Sequence, residues 1–179
     1  MDEIVKAALK KWPNVPHCYG WLALDARGDW YLRDAPTQAA GPFPQVKGSR
    51  ITHDKFKAFI QRNYAHDERG AWFFQNGPQR VYLQLEAAPL ILGVRREGEG
   101  AAVHYVVEAH TEQPVGAVRG CWLDDQGRLF LETQAGLGLV RSMDMAVAAE
   151  AIEAGVWQPQ EMAFADMPAH FGYVLQPAP

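Results

Sequence analysis

Serine is nearly missing from this chain: Ser49 and Ser142 are the only two. Ser49 lies in a Gly/Arg segment and Ser142 is placed to cap a helix, so a serine-nucleophile enzyme is not expected. Cysteine is as sparse. Cys18 and Cys121 form neither a Cys-x-x-Cys pair nor a His/Cys zinc spacing. They are expected to be free thiols in a reducing compartment. His17 adjoins Cys18, but sequence neighbours on an extended segment point apart and make no dyad. No apolar run approaches the ~20 residues of a membrane span. The longest, Ala87 to Val94, is flanked by Glu86 and Arg95. No Lys/Arg run exceeds two residues, and the formal charge is -4 with a pI near 5.8. That balance predicts no nucleic-acid partner and no membrane surface as partner. Asp2 and Glu3 come first and Lys6 interrupts the next apolar residues, so no signal peptide is expected and the location predicted is cytoplasmic. A Gly-rich phosphate loop, a nucleophile elbow and a metalloprotease helix motif are all missing. No catalytic residue and no cofactor is therefore assigned.

What remains is an ordinary globular composition, 48% hydrophobic and 21% charged over 179 residues, enough for one large or two small cores. Residues 2–12 predict an amphipathic helix with Ile4, Val5, Ala8, Leu9 and Trp12 on one stripe. Pro13 ends it. Thr52 is placed to cap a second helix over 53–64, with Phe56, Phe59, Ile60 and Tyr64 as its apolar side. Ser142 caps a third over 143–154, and Gly155 stands where a C-terminal cap belongs. Residues 34–50, rich in Pro and Gly, read as an exposed loop. From Arg80 to about Val140 the pattern is that of strands. The tail carries Phe171 and Val174, a candidate last strand, and ends in a Pro-Ala-Pro expected to be disordered. The order of elements predicts an α+β fold, antiparallel β-sheets with about three helices packed on them. Asn76-Gly77-Pro78 breaks the pattern, so the expected division is an N-terminal helix-hairpin-helix part, 1–77, and a β-rich part with one helix, 78–179.

One turn chemistry recurs. Asp25-Ala26-Arg27-Gly28, Asp67-Glu68-Arg69-Gly70 and Asp124-Asp125-Gln126-Gly127 each precede an aromatic-rich strand. Asp accepts local backbone hydrogen bonds, and Gly permits the left-handed conformation of a bulged hairpin turn. An internal repeat would produce this pattern, and so would simple reuse of favourable turn chemistry.

Two sets of residues offer candidate sites. Six tryptophans are many for this length, and the ring gives large apolar area plus one donor. The first hairpin is apolar on both faces, with Trp21, Leu22 and Leu24 on one strand and Trp30, Tyr31 and Leu32 on the other. One face is expected under the helices. The second needs the strand-rich half, a second subunit or a ligand to cover it, which marks Trp21, Trp30 and Tyr31 as candidate ligand- or partner-binding residues. The partner would be a protein or a small molecule, and a homodimer stays open. The second set is His104, Glu108 and His110, which share one face of a straight strand and are weak candidates for a metal or for acid and base. His104 and His110 would lie about 20 Å apart at ~3.3 Å per residue, too far for one ion without a sharp bend. A solvated outer face explains them as well.

The strings Asp-Glu-Arg-Gly-Ala-Trp-Phe-Phe (67–74), Val-Tyr-Leu-Gln-Leu-Glu-Ala-Ala-Pro-Leu (81–90) and Leu-Phe-Leu-Glu-Thr-Gln-Ala-Gly-Leu (129–137), with the helix from Met143, resemble a group of small proteobacterial proteins of unknown function. That group is known mainly from structural genomics. The resemblance covers roughly residues 20–155 and implies a bacterial α+β protein. It carries no functional residues. The function expected is a non-enzymatic small-molecule- or protein-binding module. The alternative is an enzyme or metal-binding protein using a cleft with His104, Glu108 and His110.

Overall fold

The computed structural model describes residues 1–179, which divide into two compact units: 1–87 with 172–179, and 88–171. At the centre of the first unit, β1 (Cys18–Leu24) and β6 (Gln79–Leu85) run parallel, Leu22 beside Leu83 and Leu24 beside Leu85. Period-two alternation puts these four leucines on one face, where they are fully buried. β2 (Trp30–Leu32) pairs antiparallel with β1, and β3 (Ser49–Arg50) forms the edge beyond it. On the other side of β6 lie β5 (Trp72–Asn76) and the edge strand β4 (Tyr64–His66), both antiparallel.

The leucine face is covered by helix. Phe56 and Phe59 of one helix meet Phe74 edge-on at 6.2 and 5.3 Å between centroids, and Phe74 shares a face with the leucines through its pair with Val81. In chain order the helices of this unit are α1 (Glu3–Lys11), α2 (Ala35–Ala40) and α3 (Asp54–Arg62). His53, not Thr52, caps α3, its ring Nδ1 accepting from the Phe56 N–H, and Tyr64 belongs to β4. Of the stripe expected on α1, Val5 is buried while Ile4 and Trp12 are exposed.

Part of the second face of the first hairpin, around Ala23 and Arg33, is covered from within the unit by the stretch expected to be an exposed loop, while Trp21 on the same face stays exposed. Asp34 caps α2 by accepting from the Thr37 N–H, with Pro36 in the first turn. Arg33, 1% exposed, lies under this cover. Its guanidinium donates to Gln84, to the Gly41 carbonyl (2.6 Å) and to the Val46 carbonyl (3.1 Å). Three oxygens thus satisfy a buried cation that no carboxylate pairs with.

The second unit holds β7 (Leu90–Glu97), β8 (His104–Ala109), β9 (Val118–Leu123), β10 (Leu129–Thr133), β11 (Gly136–Val140) and β12 (Pro159–Glu161), with α4 (Met145–Glu153) and α5 (Met167–Phe171). The sheet order is β12-β9-β10-β11-β7-β8. The fold is α+β as expected, but the sheets are mixed rather than antiparallel, because β1–β6, β7–β11 and β9–β12 pair in parallel. Five helices replace the expected three; α2 and α5 are the additions.

Strand path repeats between the units. In the first, a hairpin (β1–β2) is followed by a meander (β4–β5–β6) whose last strand runs parallel beside the first strand of the hairpin. In the second, β7–β8 and β9–β10–β11 do the same, through β11 beside β7. The Asp67 and Asp124 turns occupy the same place in that path, whereas the Asp25 turn corresponds to the segment after β7. Asn76-Gly77-Pro78 is the turn between β5 and β6, and the units divide after Ala87. Phe171 closes α5, and the tail is not a strand. It is tied down: Val174 N–H donates to the Gly70 carbonyl (3.1 Å), Leu85 N–H to the Leu175 carbonyl (2.8 Å), and Pro177 is buried. No helix is long and apolar enough to cross a membrane.

Candidate functional site

The turn between β4 and β5 organises a polar cleft of the first unit. Asp67 Oδ1 accepts from the N–H groups of Arg69 (2.9 Å) and Ala71 (3.0 Å), and Gly70 N–H closes the turn on the Asp67 carbonyl (3.1 Å). Gly70 takes φ +75°, which a side chain rarely adopts. The other carboxylate oxygen accepts from the Tyr82 hydroxyl (3.0 Å) and from Arg69 Nε (3.4 Å). Burial works against the ionised carboxyl, yet the Ala71 N–H, the Tyr82 hydroxyl and the Arg69 donors together hold its pKa below the ordinary value.

Tyr82 is fixed by rings. Tyr19 of β1 stacks on it at 4.8 Å, 5° from parallel, while His17 (5.6 Å) and Phe73 (5.6 Å) approach edge-on. The Tyr19 hydroxyl, Asp67 and the Tyr82 hydroxyl keep the Arg69 pKa above its ordinary value. Arg80 of β6 lays its guanidinium over the Phe73 ring at 4.5 Å and has no carboxylate partner. His66 packs on Trp72 at 4.9 Å, and its Nδ1 lies 3.0 Å from the Asp67 carbonyl. A carbonyl only accepts, so Nδ1 carries the proton and Nε2 is the free nitrogen of the neutral ring. His66, Asp67, Glu68, Arg69 and Arg80 line a cleft of about 440 Å³.

None of the candidate site residues expected from sequence lines this cleft, although the Asp67 turn that does was recognised as a turn. Trp30 is 1% exposed, in the core of the first unit beside Tyr64 at 5.4 Å. Trp21 is 44% exposed. Tyr31 donates to Asp25 (3.2 Å), which also pairs with Lys47 (2.8 Å); Glu86 lies 3.4 Å from the same ammonium. In the second unit the three residues expected on one strand face are engaged separately, and His110 lies just beyond the end of β8. Glu108 pairs with Arg95 through two donors, His104 faces Glu97 at 3.6 Å, and His110 Nδ1 accepts from the Ile91 N–H (3.2 Å). Burial lowers the His110 pKa to about 3. They do not form a group of three that could hold a metal ion.

The Asp67 turn was legible in the sequence; its partners were not, because Arg80 reaches it through the antiparallel pairing of β5 with β6 and Tyr19 through the parallel pairing of β1 with β6. Arg69 inside the turn was the available signal.

No curated protein matches the sequence. The fold is similar to that of a DUF1285 family protein from Silicibacter pomeroyi, with a TM-score of 0.54, 13% identity and 84% of each chain covered. A DUF1285 family protein from Shewanella baltica aligns at a TM-score of 0.48 and 17% identity, over 73% of this chain and 91% of that one. The first likeness shows a shared fold and nothing of activity. A family model described as "Protein of unknown function (DUF2946)" matches residues 1–178, and the chain belongs to that family.

Proposed function

We propose that the protein is a non-enzymatic binding module that takes a small molecule into the cleft at the β4–β5 turn. One observation carries this reading: a guanidinium, Arg69, is held in place by Asp67 while its side chain stays 62% exposed at an open cleft. Its supports, Tyr19, Tyr82 and Asp67, sit on strands or at a strand-fixed turn, so the polar groups are positioned before any ligand arrives. No nucleophile with an adjacent base lines the cleft, which favours binding over covalent chemistry. The thiols of Cys18 and Cys121 are both free, which supports a reducing, cytoplasmic location.

The test is a thermal-shift screen of the purified chain against metabolites, nucleotides and divalent metals. A ligand that raises Tm in the wild type and fails to do so in Arg69→Gln supports the reading. Ligands that raise Tm equally in both proteins contradict it.

A further inference from the structure

Resting on the cleft reading, we infer that the group it recognises is a phosphate, the phosphomonoester end of a small molecule, gripped between Arg69 and Arg80. The two guanidiniums come from different elements, one from the β4–β5 turn and one from β6, and both line the same 440 Å³ cleft. Arg80 is held from behind by the Phe73 ring and has no carboxylate to neutralise it, so its donor edge is unclaimed within the chain. Arg69 directs Nε to Asp67, where Tyr82 and two backbone N–H groups already share the carboxylate. That carboxylate positions the guanidinium and has little capacity left to compete for Arg80. Glu68 is exposed and forms no ion pair in the cleft.

Geometry separates phosphate from carboxylate. One guanidinium fork satisfies both oxygens of a carboxylate. A tetrahedral phosphate offers three, so two forks from separate elements can hold it at once. His66 adds a third contact: with Nδ1–H engaged by the Asp67 carbonyl, Nε2 can accept from a monoprotonated phosphate or, when itself protonated, donate to the dianion. With Asp67 and Glu68 nearby the cleft carries no large net positive charge. Affinity therefore rests on directional donors, and it should fall with added salt.

The experiment is calorimetric titration of the full chain at low salt with inorganic phosphate, methyl phosphate and succinate, on wild type, Arg69→Gln, Arg80→Gln and Arg128→Gln. Arg128 is the arginine beside the corresponding turn of the second unit, and far-UV circular dichroism checks that each variant is folded. The expected result is saturable binding of both phosphates, weakened at least tenfold by Arg69→Gln and by Arg80→Gln and unchanged by Arg128→Gln, with succinate at least tenfold weaker. Succinate binding as tightly as methyl phosphate overturns the phosphate assignment, as does phosphate binding that survives both cleft variants. A neutral ligand from the thermal-shift screen that depends on Arg69, with no phosphate bound, overturns this inference and leaves the cleft reading standing. Loss of both overturns the two together.

Discussion

The two units run five strands along one path and place an Asp-centred turn at the same point of it, but they finish that turn in opposite ways. In the second unit, Asp124 accepts the N–H groups of Gln126 (2.9 Å) and Arg128 (2.8 Å), as Asp67 does those of Arg69 and Ala71. Its arginine is then largely covered: Arg128 pairs with Asp124 at 2.7 Å and lies against Phe164 (4.3 Å) and Phe130 (5.5 Å), two rings that stack on each other, with 24% of its side chain exposed. The segment after β12 fastens that lid, with the Phe164 N–H on Asp125 (2.8 Å). In the first unit the arginine of the turn stays open at a cleft. A cation paired with its carboxylate and packed against two rings is structural, whereas one positioned by its own carboxylate and left accessible can recognise a ligand.

Among single substitutions, the largest difference should appear at the glycines of the two turns. Gly70 and Gly127 both take left-handed φ, +75° and +74°. Alanine is strained at either, by about 1–2 kcal/mol. A methyl at Gly70 would also run into the backbone carbonyl of Gly172, whereas nothing lies within 4 Å at Gly127. Urea denaturation should therefore show Gly70→Ala losing about 3 kcal/mol or more and Gly127→Ala about 1 kcal/mol. Equal losses would mean that the tail does not hold the first turn.

Acid should distinguish the units next, through His110. Unfolded, its imidazole takes a proton near 6.5; folded, only near 3. Between those values the native state binds fewer protons, so stability falls as pH drops from about 6.5 toward 3 and is untouched above that window. The slope is about 1.4 kcal/mol per pH unit. His110→Asn, whose amide oxygen can still accept from Ile91, should flatten the stability curve over that window relative to wild type. Superimposable slopes would contradict the assignment.

Much of this architecture follows from local sequence. Helices near α1, α3 and α4, the β1–β2 hairpin and the three Asp turns are all set by apolar period, caps and turn residues that neighbours in sequence decide. α2 was hidden because Pro36 reads as a loop breaker, although Asp34 before it is an N-cap and proline is tolerated in a first turn. The parallel pairs β1–β6 and β7–β11 were beyond reach, since strand pattern does not say which strands become neighbours. At the candidate site only Tyr19 depends on one of those pairs, since the lining residues come from β4, the β4–β5 turn and β6, which antiparallel pairing through β5 joins. His104, Glu108 and His110 look convergent by parity, yet Arg95 and the Ile91 N–H from β7 engage two of them separately.

A smaller contrast lies in the arginines. Arg128→Gln leaves the buried carboxylate of Asp124 with two backbone donors, and should cost about 2 kcal/mol. Arg69→Gln leaves Asp67 its Tyr82 and backbone partners, and should leave the midpoint of a urea melt nearly unchanged. Smallest in energy is the thiol pair. Burial raises the Cys121 pKa to about 11, while Cys18 is partly accessible. Mass spectrometry of the native chain after brief alkylation at pH 8 should find Cys18 modified well before Cys121, with both modified after denaturation without reductant.

The most direct measurement follows the arginine side chains themselves. In a ¹⁵N-labelled full chain, the Nε–Hε signals of Arg69, Arg80 and Arg128 are recorded by NMR while methyl phosphate is added at low salt. The expected result is that Arg69 and Arg80 shift together with one saturation midpoint while Arg128 stays in place. Shifts of equal size at all three, or movement at Arg128 alone, would contradict the claim that the first unit turned a shared structural element into a ligand site.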